Sequence, residues 1–114
     1  MGKARLTLPV IDEQAIERVV RRIVEAYHPR RIVVFGSHAR GDTHVDSDLD
    51  LYVELESTDA PRERRLALRR LLDDEGYPLD VVVFTPGEAE AARKRGGSIL
   101  EYVDAEGRVV YERH

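Results

Sequence analysis

The sequence predicts an α+β domain built on a small mixed β-sheet, with helices packed on one face and a row of carboxylates on the other. Three observations predict it. Short runs rich in β-branched and aromatic residues, Arg31–Phe35, Leu79–Phe84 and Arg108–Glu112, are separated by helical patterns. In the segment Asp48–Leu55, Leu49, Leu51, Val53 and Leu55 alternate with polar or amphipathic residues, the period-2 signature of a strand with one buried face. The 114 residues suffice for one core but leave no room for a second lobe, so residues 1–114 read as a single domain.

Each element has its own local signal. Asp12 is placed to cap a first helix, with Ile11 and Ile16 as a hydrophobic staple. That helix carries Ala15, Ile16, Val19, Val20, Ile23, Val24 and Tyr27 on one face, Glu17, Arg18, Arg21, Arg22 and Glu25 mostly on the other, and Pro29 stops it. Strand 31–35 runs into Gly36-Ser37 and a short helix to about Arg40, followed by strand 48–55. Pro61, a favoured first-turn residue, opens a second long helix that ends before Gly76. After strand 79–84, Pro86–Lys94 reads as a polar helix broken at Gly96-Gly97, then a short helix 98–103 and a final extended run 108–112. A doubly wound dinucleotide fold is disfavoured, since no third glycine or ribose-binding acid is placed for it.

The chemistry concentrates between residues 34 and 51. Asp48 and Asp50 are two apart on a strand, so both project from the face opposite the leucines, together with Tyr52, Glu54 and Glu56. Two neighbouring carboxylates repel, and nothing about a strand requires them; a divalent cation would remove the repulsion. Upstream, the strand-to-helix turn at Gly36-Ser37 offers free backbone N–H groups and a hydroxyl, the makings of a phosphate cradle. A nucleoside triphosphate with its metal needs both features.

Gly36-Ser37, ten residues, then Asp48-Leu49-Asp50 resembles the signature of the polymerase-beta-type nucleotidyltransferase superfamily. The fuller run, Gly-Ser-x-Ala-Arg-Gly-Asp followed by Ser-Asp-Leu-Asp-Leu, is similar to its minimal nucleotidyltransferases, small prokaryotic proteins often acting as antitoxins to a helical HEPN-type toxin. Asp80, in Leu79–Phe84, stands where the family has a third carboxylate. The match covers residues 31 to 84 well and the flanks only in layout. The resemblance implies a polymerase-beta-like palm. It also implies Mg²⁺-dependent transfer of AMP, or another nucleoside monophosphate, from ATP or another triphosphate to a hydroxyl. Asp48, Asp50 and Asp80 would serve as catalytic residues and as ligands of two Mg²⁺ ions, with Asp80 doubling as a base candidate. Gly36 and Ser37 would hold the β- and γ-phosphates. The implied acceptor is a tyrosine of a HEPN-type toxin.

Composition sets the remaining bounds. With 42% hydrophobic and 35% charged residues the chain reads as globular. No apolar run approaches the ~18 residues of a membrane span, and no signal peptide precedes the first helix. The absence of cysteine excludes a disulfide framework and a thiolate zinc site, and fits a cytoplasmic setting. Eighteen basic against 22 acidic residues give −4, so strong nucleic-acid binding is not expected, whereas homo- or hetero-oligomers are compatible.

Other residues admit two readings. Arg40 could touch phosphate or pair with Asp42 or Asp46; Asp46 and Ser47 read as turn residues. His38 and His44 flank the site without metal spacing, and His28 marks a helix end. Tyr52 could stack on a base or cover the sheet, and Arg62, Arg64, Arg65, Arg69 and Arg70 form a solvated face or a partner surface. Two function classes remain: an enzyme, or a non-catalytic antitoxin that neutralises its partner by contact. The three carboxylates favour the enzyme. A small acceptor such as an aminoglycoside is disfavoured by the missing lobe.

Overall fold

The computed structural model describes residues 11–41, 43 and 47–113. The chain order is α1 (Glu13–Tyr27), β1 (Arg31–Phe35), α2 (Ser37–Arg40), β2 (Leu49–Glu54), α3 (Pro61–Leu72) with a 3₁₀ turn (Asp73–Glu75), β3 (Leu79–Phe84), α4 (Pro86–Arg95), α5 (Leu100–Glu106) and β4 (Arg108–Glu112). Asp12 caps α1 through its side chain to the Ala15 N–H, and His28, in the left-handed region, ends it ahead of Pro29. Thr85 and Glu88 form a reciprocal capping box on α4, with Pro86 in its first turn.

The four strands lie in the order β3-β2-β1-β4, with β2 and β3 parallel and the other pairs antiparallel. The α+β class and the mixed sheet are as the sequence predicts. One face carries the main core: Ile32, Val34, Leu49, Leu51, Val53, Val81 and Val83 from the strands meet Ile16, Val19 and Ile23 of α1 and Leu68 and Leu72 of α3.

The expectation that helices occupy a single face is corrected. Val33, Phe35 and Tyr52 point to the opposite side and are covered by Ala89 and Ala92 of α4 and Leu100 and Val103 of α5. Small residues on α4 and the glycine after α5 allow this close approach. A Cβ on Gly107 would collide with the Val103 carbonyl and the Val33 side chain. The second face is therefore dry around Tyr52 and open towards the start of β2. Tyr52 is fully buried and donates to Glu54 Oε1 (2.6 Å), so it covers the sheet and cannot stack on a ligand. Burial and the neighbouring Glu54 push its phenol far above the ordinary value.

Arg64 is a second correction. It is 5% exposed, unlike Arg62, Arg65, Arg69 and Arg70, and its guanidinium donates to the Asp59 carbonyl (3.0 Å) and Glu88 Oε1 (2.6 Å). Burial would raise the Glu88 carboxyl, but hydrogen bonds from Arg64 and the Thr85 backbone hold it below its usual range. On the far side of α3, Arg22 and Arg18 of α1 converge on Glu75, whose side chain is 6% exposed. No helix among the described residues is long and apolar enough to cross a membrane.

Candidate functional site

Strand register brings the site together. Parallel pairing sets Asp50 of β2 directly beside Asp80 of β3, and antiparallel pairing sets Phe35, the last residue of β1, on the other side of Asp50. Side chains of paired residues share a face, so Asp50 and Asp80 project together at the open end of the second face. Asp48, one residue ahead of β2, is exposed, as is Asp80, while Asp50 is half-buried.

Gly36 follows Phe35 and completes the third wall. Its backbone sits at φ 73°, ψ −152°, a region open essentially to glycine alone. A Cβ there would lie on the Asp50 Oδ2. The absence of a side chain is thus what lets the β1–α2 turn pass against the Asp50 carboxylate. Within α2, the N–H groups of Ala39 and Arg40 donate to the Gly36 carbonyl (both 3.1 Å) and that of Gly41 to the Ser37 carbonyl (2.8 Å). The amides of Ser37 and His38, in the first turn, have no intrahelical acceptor. They lie next to the Ser37 hydroxyl, on the two residues that follow the Gly36 backbone pressed against Asp50.

The charges of Asp48 and Asp80 act on Asp50. Burial raises the Asp50 carboxyl above its ordinary value, and the charges of Asp80 and Asp48 raise it further, against smaller opposing contributions from His38 and Arg40. Among the described residues no group of three or more His, Cys, Asp or Glu side chains that could hold a metal ion is found. Asp48, Asp50 and Asp80 share a face and repel through space without converging on one point. Their chemistry nonetheless suits a hard divalent cation: carboxylate oxygens only, repulsion on Asp50 to relieve, and first-turn helix amides alongside.

His38 also belongs here, since its Nε2 is buried without a hydrogen-bond partner among the described residues, and sequence spacing gave only its proximity. Arg40 pairs with Glu106 of α5 (2.9 Å). The expectations placed on Asp42, His44 and Asp46 fall outside the described residues. A groove of about 610 Å³ between α1 and β4 involves none of the three aspartates; a groove of about 310 Å³ lined by Pro61, Arg62, Arg65 and Asp80–Val83 reaches Asp80.

With this geometry in hand, the sequence between residues 16 and 103 matches the nucleotidyltransferase domain model, more than three quarters of the chain. The chain belongs to the nucleotidyltransferase domain family. No curated protein matches it significantly. Among solved structures, the nucleotidyltransferase-family chain is similar to a candidate nucleotidyltransferase from Sulfolobus solfataricus, with a TM-score of 0.61 and 18% identity over 86% of this chain and 78% of that one. It is also similar to a toxin–antitoxin chain crystallised with AMP-PNP, with a TM-score of 0.60 and 21% identity over 86% and 74%. A third likeness is to a Shewanella oneidensis complex of a tri-AMPylated HEPN toxin with its MNT antitoxin, with a TM-score of 0.50 and 19% identity over 89% and 70%. At these identities the likenesses establish the shared fold.

Proposed function

We propose that this nucleotidyltransferase-family domain transfers a nucleoside monophosphate, AMP in the first instance, from a triphosphate to a hydroxyl on a protein partner. The observation that carries the reading is the pairing of Asp50 with Asp80 in adjacent parallel strands, with Gly36 pressed against Asp50. Asp48, Asp50 and Asp80 are the residues that would hold divalent cations, two Mg²⁺ ions in this reading. Bound there, the cations neutralise the triphosphate and make the acceptor hydroxyl more acidic. Gly36 and the Ser37 amide and hydroxyl bind the β- and γ-phosphates, and the first-turn His38 amide adds a donor. Asp80, exposed at the edge of the site, takes the acceptor proton. The acceptor oxygen then bonds to the α-phosphorus as the bond to the β-phosphate oxygen breaks, and pyrophosphate leaves.

The partner is proposed to be a HEPN-type toxin modified on a tyrosine, in the cytoplasm, which would make the domain an antitoxin. The MNT antitoxin complex with an AMPylated toxin supports this by fold likeness. A contact-only antitoxin is the second reading, favoured by the absence of a ready-made ion cage among the described carboxylates. Labelled ATP, Mg²⁺ and the product of the adjacent gene separate the two: label transferred to that protein, and lost with Asp48→Asn plus Asp50→Asn, supports the enzyme. Neutralisation that survives the double variant supports contact alone. In parallel, Mg²⁺ with ATP should raise the wild-type Tm through preferential binding to the native state. An equal rise in the double variant would sink the metal assignment.

A further inference from the structure

β3 is an edge strand, and its outer side leads straight to Asp80. Its backbone direction can be read from two bonds: the Leu49 N–H donates to the Pro78 carbonyl (2.9 Å) and the Leu55 N–H to the Phe84 carbonyl (3.0 Å). Backbone polar groups alternate sides along a strand, so Pro78, Asp80, Val82 and Phe84 turn theirs towards β2. Leu79, Val81 and Val83 therefore present their N–H and C=O groups outward, with no neighbouring strand among the described residues.

Two grooves of about 310 Å³ each flank this edge and share Pro61 and Val83. The first is lined by Asp80, Arg62 and Arg65; the second by Phe84, Ala91, Ala92 and Arg95, with Glu88 there already paired to Arg64. Arg62, Arg65 and Arg95 are exposed and make no ion pair among the described residues, on a chain whose net charge is −4. A local basic wall on an acidic protein selects an acidic partner.

We propose that the free edge of β3 is the docking strand for the acceptor, an extended acidic peptide segment of the protein substrate that adds beside β3 and brings its hydroxyl to Asp80. The inference rests on the nucleotidyl-transfer reading and supplies its substrate chemistry. Main-chain bonds to Val81 and Val83 give the segment its direction, and carboxylates on it meet Arg62 and Arg65. From Asp80 to Phe84 is four strand steps, about 13 Å, so an apolar side chain about four residues from the hydroxyl fills the Phe84–Ala91–Ala92 groove. An RNA acceptor would also answer to the arginines, but it has no row of amides and carbonyls to match the strand edge.

The test uses the full ¹⁵N-labelled chain and four probes. They are a degenerate pool of acidic, tyrosine-containing decapeptides with Leu or Val four residues from the tyrosine, the same pool with Lys for the acids, a random single-stranded RNA, and ATP with Mg²⁺. The acidic pool is expected to shift the Val81 and Val83 amides and slow their hydrogen exchange at least tenfold, with the lysine pool and RNA inert there. Arg62→Glu with Arg65→Glu should weaken the acidic pool at least tenfold while ATP binding, read at the Ser37 and His38 amides, is unchanged. Unprotected Val81 and Val83 amides, equal pool affinity in the variant, or RNA producing the shifts would each overturn the proposal. If ATP with Mg²⁺ leaves Ser37 and His38 unmoved, the transfer reading falls instead, and protection at β3 would then mark peptide binding without an acceptor role.

Discussion

Replacing Gly36 with alanine tests the one contact on which the site's shape depends. Two costs act together. A side chain at φ 73°, ψ −152° is strained by about 1–3 kcal/mol, and its Cβ must displace the Asp50 carboxylate, an overpacking cost of about 1–3 kcal/mol. The sum, about 2–6 kcal/mol, leaves a domain in the middle of the ordinary stability range folded but lowers its Tm by roughly 8–25 °C. Gly41→Ala is the control: its φ is +82° but nothing lies within 4 Å of its Cβ, so strain alone, about 1 kcal/mol, is expected. The two costs separate in a double-mutant cycle with Asp50→Ala. Removing Asp50 beyond Cβ leaves only that Cβ, at 3.4 Å, an ordinary contact. Gly36→Ala should then cost about 1–3 kcal/mol less in the Asp50→Ala background, measured by urea unfolding. Additivity within about 0.3 kcal/mol would refute the placement of Gly36 against the carboxylate. Triphosphate affinity in folded Gly36→Ala should fall at least tenfold.

Two further outcomes follow from the electrostatics. Because burial, Asp80 and Asp48 raise the Asp50 carboxyl, its ionised form is disfavoured in the fold, and the associated stability is present at low pH and lost as pH rises through the raised value. Asp50→Asn should therefore raise the metal-free Tm at pH 7 by a few degrees while abolishing transfer; a lower Tm would contradict the repulsion. Glu75 has the opposite sign. Burial alone would raise it, but Arg22 and Arg18 hold it low, so its contribution is present above the unfolded carboxylate value of ~4.3 and lost as pH falls through the depressed one. Glu75→Gln should cost about 1–3 kcal/mol at pH 7 and less at pH 3, and an equal loss at both would show that the arginines do not depress it.

How much could be read from residues alone depended on whether the signal was local. Arg31–Phe35, Leu79–Phe84 and Arg108–Glu112 stand in the structure with the bounds the sequence suggests, because each β-branched run is bracketed by Pro or Gly or by a charge at its end. The Asp48–Asp50 pairing with a glycine turn was equally visible. The register that sets Asp80 beside Asp50 was not, since parallel pairing is decided by packing of α3 across residues 55 to 79 and leaves no mark at either aspartate. Resemblance, and not periodicity, pointed to Asp80. The cover over Tyr52 was hidden for a different reason: α4 buries only Ala89 and Ala92, so its pattern reads as polar. Arg64 was lost in a run of arginines, although it stands four and eight residues before Leu68 and Leu72 on the buried face of α3, because its charged partner, Glu88, lies 24 residues away.

Glu88 ties together what the sequence keeps apart. The same Oε1 accepts from the Thr85 N–H at the start of α4 and from Arg64 in α3. The helices on either side of the β3 edge are therefore clamped at the point where the strand ends, and the spacing between them is set during folding. A segment entering that cleft would meet walls already at their final separation. Recognition there is then a matter of fit and charge, with little of the ordering cost that a loop-built cleft imposes on each encounter.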